Sequence, residues 1–116
     1  MVNLDYNYVL SLSNRDTDIG EHLMLLYILP VLMSAQTIVE LGAGQSSFAL
    51  TAAASLTGGV VYSFDLTREA IYRLFPGGEG ILDHHPKFIF TPTDDREAIG
   101  GWNKDIDFLF IDTSHT

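Results

Sequence analysis

Two glycines one residue apart, Gly42 and Gly44, close an apolar run over 37–41 and open a stretch rich in serine and alanine. Glycine admits a tight turn and lets a ligand approach the main chain closely. A helix beginning directly behind such a turn offers amide N–H groups that have no helical partner. Glu40 stands just before the turn, and Asp65 ends a second apolar run, Val60 to Phe64. A carboxylate at the tip of the strand beside the turn, about twenty residues on, is placed to accept hydrogen bonds from ribose hydroxyls. These residues make half of a nucleoside-binding site.

Two ligands compete for it. The dinucleotide fingerprint has a third glycine that eases the helix onto the strand, and here Ser47 takes its place. Glu40 would repel a pyrophosphate, whereas S-adenosylmethionine carries a sulfonium and an ammonium and no phosphate. Charge sign favours the sulfonium cofactor. Glu40-Leu41-Gly42-Ala43-Gly44 resembles the first motif of the class I S-adenosylmethionine-dependent methyltransferases, acid-apolar-Gly-x-Gly. Two further apolar runs end in acids, Phe88 to Asp94 and Ile106 to Asp112, in the order such enzymes use.

The resemblance implies an α/β fold: a Rossmann-like parallel sheet with flanking helices. It also implies S-adenosylmethionine as cofactor and a methyl acceptor that is a small molecule or sugar hydroxyl. Residues 1–35 then form an N-terminal helical segment and residues 36–116 the cofactor-binding half. In the sheet order expected for the resemblance, 3-2-1-4-5-7-6, the chain is truncated after strand four. Gly42 and Gly44 shape the cofactor turn, Glu40 meets the cofactor's amino group, and Asp65 takes the ribose. Asp94 lies on the adenine side, in competition with Asp95 and with plain helix capping. Ser46 and Ser47 either donate to the cofactor carboxylate at a helix N-terminus or act as N-caps. For Glu40 the competing reading is a carboxylate satisfied by local backbone N–H groups, and for Asp65 a helix cap.

Asp112-Thr113-Ser114-His115 resembles the end of the fourth strand in small-molecule O-methyltransferases and cephalosporin-hydroxylase-like proteins. In such relatives the acid can ligate a divalent cation that orients a substrate hydroxyl, and the histidine can serve as general base. Magnesium suits an all-oxygen site. The competing reading has Asp112 at the cofactor's methionine end and His115 in the following turn. His84 and His85 belong to a solvated loop, because adjacent side chains diverge and Pro86 holds the chain extended.

Composition narrows the partners. The 116 residues carry 15 acids against 6 Lys and Arg, a formal charge of −9, and 47% of them are hydrophobic. Such a chain folds as a globule, and it lacks the clustered cations that bind nucleic acid. An acidic field also disfavours anionic membrane surfaces. With no cysteine, disulfides and thiolate metal sites are excluded. The apolar run 23–33 is about half the length needed to span a ~30 Å hydrocarbon core, and Pro30 interrupts it. No basic segment precedes it of the kind a signal peptide needs, so a cytoplasmic location is the expectation.

The elements alternate along the chain. Asp18 and Glu21 form a capping box for a helix that kinks or ends near Pro30. A strand over 37–41 leads into a helix capped by Ser46 or Ser47, reaching about Leu56 and stopped by Gly58 and Gly59. Strands over 60–64, 87–91 and 106–111 follow, with a helix over 67–75, a loop over 76–80 and a helical turn or two over 94–99. Continuous apolar strands such as 108–111 are expected to be covered on both faces. Trp102 is either a core anchor or an exposed contact, and Asp16, Asp18 and His22 either line a lid or pack on the sheet. Strand four would present a long, flat apolar edge, which predicts a homodimer through that edge. Two other classes compete with the methyltransferase: an NAD-binding oxidoreductase fragment and a non-catalytic self-associating module.

Overall fold

The apolar runs assemble into one parallel sheet. The structure is a computed structural model that describes residues 4–13, 22–67 and 79–112. Two helices, α1 (Tyr6–Ser13) and α2 (Leu23–Leu32), precede β1 (Thr37–Leu41) and α3 (Gln45–Thr57). Then come β2 (Val60–Asp65), the short α4 (Glu79–Asp83), β3 (Phe88–Pro92), α5 (Asp95–Gly100) and β4 (Phe108–Ile111). The strand order is β3-β2-β1-β4, and every neighbouring pair is parallel. This is the Rossmann-like α/β layer that alternating strands and helices require. Among the described residues no helix is long and apolar enough to cross a membrane.

Alternation along the strands divides the core in two. Ile38 and Val61 face α1, α2 and α3, and with Val9, Leu12, Leu23, Phe48 and Leu82 they form the larger cluster. Val39, Leu41 and Phe64 face the other way, where Tyr62, Ala98, Trp102 and Ile106 pack on them. Trp102 is therefore a core anchor, its ring edge-on to Tyr62 at 5.1 Å and to Phe64 at 6.0 Å. The expectation that β4 is covered on both faces is corrected. Phe108 and Phe110 pack against the larger cluster, but Leu109 and Ile111 are 44% and 58% exposed, because on their face the described cover is α5 and the Trp102 segment. At four residues, β4 is also shorter than the long edge expected.

Helix α2 continues through Pro30 to Leu32. Pro30 is buried in the interface with the core, and that packing outweighs the missing N–H. The helix ends one turn later in a Schellman arrangement. Ala35 N–H donates to Pro30 O at 3.0 Å and Ser34 N–H donates to Val31 O at 3.0 Å. The αL position, which usually holds glycine, is Ser34 at φ 52°. The capping box at Asp18 and Glu21, and the helix over 67–75 apart from Thr67, lie outside the described residues, as do Asp16 and Asp18 of the lid reading. Other boundaries are corrected by a residue or two, and the loop over 76–80 gives way at Glu79 to α4. Helix α1 falls within the N-terminal helical segment expected over 1–35, but its bounds were not read from the sequence. Its eight residues are too few for periodicity to stand out.

The joint between α3 and β2 is tight. Gly58 caps α3 in the left-handed region at φ 80°, and a Cβ on the next residue, Gly59, would stand 2.6 Å from Gln36 O and 2.7 Å from Ala35 O. Those oxygens belong to backbone that starts β1, so neither can give way. Gly59→Ala should lower stability by about 1–3 kcal/mol, whereas Ser34→Gly, by relieving the left-handed strain, should raise it by about 0.5–1 kcal/mol. Urea denaturation of both variants checks this, and equal midpoints for wild type and Gly59→Ala would refute the close approach.

Candidate functional site

All four strands end at the same edge of the sheet, and each end carries a candidate residue. Past β1 the chain enters the turn 42–44, where Gly42 has φ 101°, a conformation that glycine adopts without strain. Gly42 N–H donates to Phe64 O at 2.8 Å, extending the β1–β2 ladder by one residue. Asp65 closes β2 and grips the turn from the side. Its Oδ2 accepts from Ala43 N–H at 2.8 Å and its Oδ1 from Leu66 N–H at 2.7 Å. Thr93 N–H donates to Asp65 O at 2.9 Å, which brings the tip of β3 and Asp94 alongside. On the other flank Asp112 N–H donates to Leu41 O at 2.9 Å. The turn, Asp65, Asp94 and Asp112 thus share one rim.

The rim sits where the topology reverses. Helix α3 leaves β1 on one face of the sheet, and α5, which leads into β4, packs on the other. In open parallel sheets, ligands bind outside the carboxyl ends at such a switch point. On the α5 side, Leu41, Arg96, Ile99 and Gly100 line an open depression of ≈ 440 Å³ against the end of β1.

Glu40 is the most constrained polar residue of the site. It is fully buried on the α3 side of β1. Its Oε1 accepts from Ser47 Oγ at 2.6 Å and from Ser63 Oγ at 2.7 Å, and its Oε2 accepts from Ser46 Oγ. Ser63 is its register partner on β2, while Ser46 and Ser47 come from the first turn of α3. The satisfying donors are therefore side-chain hydroxyls and not the backbone N–H groups weighed from sequence. Burial pushes the Glu40 carboxyl up to about 7, with the charge of Asp65 adding to the rise and the three hydroxyls pulling against it.

The two serines hold different posts from those expected. Helix α3 is capped by Gly44, so the N-cap reading of Ser46 and Ser47 is corrected: both lie inside the first turn. Ser47 Oγ accepts from Gly44 N–H at 3.0 Å, the half of a capping box that a glycine cap permits, and passes its own proton toward Glu40. Ser46 Oγ is likewise turned to Glu40. Asp94 is the N-cap of α5, with Oδ1 accepting from Arg96 N–H at 2.8 Å. Asp112 is exposed, and His115 lies outside the described residues. His85 Nδ1 accepts from Lys87 N–H at 3.1 Å, shaping the turn into β3. Among the described residues no group of three acids or histidines could hold a metal ion, so Asp112 stands there without the partners that magnesium requires.

Sequence reasoning missed Ser63. Its signal was the period of β2, because Val61 and Ser63 share the face that Ile38 and Glu40 present one strand away. A polar residue on that buried face had to have a partner.

No protein-family model matches the chain, and no curated protein gives a significant match.

Protonation of Glu40 is linked to folding. Its folded value lies above its unfolded one, so the folded chain holds the proton more tightly and is most stable below the unfolded value. That advantage is lost as pH rises from about 4.5 through about 7. Stability of the wild type should fall across that window by an amount on the order of 3 kcal/mol. Glu40→Gln should flatten the dependence, since Ser46 can rotate to accept from the amide. Urea titrations at several pH values decide it, and parallel profiles for the two proteins would remove Glu40 from the linkage.

Proposed function

We propose that this chain carries the cofactor-binding layer of an S-adenosylmethionine-dependent methyltransferase whose acceptor is a hydroxyl of a small molecule or sugar. One observation supports the sulfonium cofactor over a dinucleotide more than any other. The N–H groups of Gly42, Ala43 and Gly44 are all engaged, by Phe64 O, Asp65 Oδ2 and Ser47 Oγ respectively. A glycine turn that cradles a pyrophosphate needs those donors free. Here one of them already faces a carboxylate, and a second carboxylate, Glu40, lies beneath the turn. Such a rim suits a ligand with cationic and neutral polar groups.

The residues present fit that ligand. Each oxygen of Asp65 accepts one N–H and keeps a second lone-pair site, so the carboxylate can take two ribose hydroxyls without releasing the turn. The apolar depression over Leu41 and Ile99, next to the helix that Asp94 caps, offers a flat wall for a purine ring. Glu40 acts from below: it ties α3 and β2 to β1 and so fixes the turn, and a cofactor ammonium would reach it only by displacing a serine. Asp112, held beside Leu41 through its backbone, stands at the opposite flank, where the acceptor would approach. When bound, the cofactor supplies a methyl group on a sulfonium, whose carbon–sulfur bond breaks as the carbon–oxygen bond forms and whose sulfur keeps the electron pair. The chain's contribution is position, which in transfers of this kind accounts for much of the rate. His115 is the proposed acceptor of the hydroxyl proton.

Calorimetric titration with S-adenosylhomocysteine, with NAD as control, tests the proposal. Saturable binding that NAD does not reproduce is the expected result. Asp65→Ala should weaken it by roughly tenfold or more, the loss of a charge-assisted pair of hydrogen bonds. NAD binding in preference to S-adenosylhomocysteine would transfer the site to the oxidoreductase class. No heat with either ligand from a folded chain would leave the turn a purely structural joint.

A further inference from the structure

Three cations lie among the described residues, Lys87, Arg96 and Lys104, and two of them are engaged. Lys87 Nζ donates to Gly58 O at 3.3 Å. Lys104 Nζ donates to Tyr62 Oη at 3.3 Å and stands 4.9 Å from the centre of that ring. Arg96 is the exception. Its backbone N–H is taken by Asp94 Oδ1, but among the described residues its guanidinium has neither an ion pair nor a hydrogen bond. Two neighbouring acids are turned elsewhere: Asp94 caps α5, and Glu97 Oε2 accepts from Thr93 Oγ1 at 3.2 Å. Arg96 is exposed, and it lines the depression at the end of β1 together with Leu41, Ile99 and Gly100.

We propose that Arg96 binds the purine of the cofactor, covering with its guanidinium the ring face that the Leu41 and Ile99 wall leaves open. The inference rests on the cofactor reading above and adds to it the group that closes the purine seat. Shape supports it. A Cβ on Gly100 would meet nothing within 4 Å, so the space beside the wall is open. A flat ring seated there keeps one face toward water unless a side chain covers it. A guanidinium is planar, weakly hydrated and stacks on aromatic faces. Charge supports it too. S-adenosylmethionine carries its positive charges on sulfonium and ammonium, and Arg96 would repel both. The purine is the uncharged end of the ligand. A cation at the depression, with Asp65 and Asp112 along the rest of the rim, therefore gives the ligand one orientation.

The rival ligand for an unpaired guanidinium is a carboxylate, either the cofactor's own or one on the methyl acceptor. The surroundings oppose it. An anion at Arg96 would also feel Asp94 and Glu97, which flank Arg96 in the same turn of chain, whereas a neutral ring would not. The cofactor's carboxylate adjoins its ammonium, so a cation that reaches the one meets the other. Leu41 and Ile99 add an apolar lining that suits a ring and leaves a carboxylate without further donors.

Calorimetric titration of the full chain and its variants with S-adenosylhomocysteine and with S-adenosylmethionine tests the inference. Arg96→Ala should lose roughly three- to thirtyfold in affinity. The factor should be the same for both ligands, which share the purine and differ in charge at sulfur. Arg96→Lys should not recover the loss, because an ammonium has no planar face. Added salt should change the ratio of wild type to Arg96→Ala little, because the ring is neutral. Gly100→Leu, which fills the space beside the wall, should weaken both ligands at least as much. Arg96 is exposed and its N–H bond to Asp94 survives truncation, so the urea midpoint of Arg96→Ala should match the wild type. The inference alone is overturned if the wild type binds and either Arg96→Ala or Gly100→Leu binds equally well. It is likewise overturned if Arg96→Ala strengthens S-adenosylmethionine binding, which would set the cation beside the sulfonium. Recovery by Arg96→Lys, with a loss that fades in salt, would overturn it in favour of a carboxylate. A wild type that binds neither ligand overturns the cofactor reading and this inference with it.

Discussion

A carboxylate without access to water holds the centre of this chain together. Glu40 would be costly to bury alone, and three serine hydroxyls from two other elements offset part of that cost. The exchange fixes geometry. Ser46 and Ser47 lock the first turn of α3 to the end of β1, Ser63 locks β2, and Ser47 carries the constraint to the Gly44 amide. The glycine turn is thereby set from below by Glu40 and from the side by Asp65. The main chain at the rim is thereby ordered in advance, and such preorganisation lowers the entropy a binding event would cost.

The same network sets which groups the rim presents. Donors consumed within the turn are not offered to an anion, and the acids around it leave surplus lone pairs in place of surplus N–H groups. The electrostatic character of the rim is accepting. The sequence contains that bias in the placement of Glu40 and Asp65, while the engagement of each amide is a property of the folded backbone.

How far the sequence reaches can be judged residue by residue. The apolar runs gave β1 and its neighbours, because apolar β-branched stretches separated by turn glycines have few alternatives, whereas the strand order came from the resemblance. The caps were harder. Ser46 and Ser47 are good N-caps by type, and only the buried acid six and seven residues earlier draws them into the helix and leaves the cap to Gly44. Pro30 reads as a helix end, but packing against the core carries the helix past it. Phe108–Ile111 reads as doubly covered, yet coverage depends on what packs above each face, and a run of apolar letters does not encode that. Asp94 was legible as a cap, since a strand-end acid before a helix takes that post by position. His115 lies beyond the described residues.

The register of β1 also implies an order of assembly. β1 meets β2 across a separation of 23 residues, through Glu40 and Ser63, but its contacts with β4 begin some 70 residues away, as between Thr37 and Asp107. Closing the longer loop costs about 1 kcal/mol more in chain entropy, and it is repaid by a strand of four residues that is half-exposed on one face. β1, α3 and β2 form a local unit that can gather early, with Glu40 and its serines at its centre, while β4 docks late and opens first. The two flanks of the rim therefore differ in permanence: the Asp65 side is laid down with the nucleus of the fold, and the Asp112 side is only as lasting as the last strand to arrive.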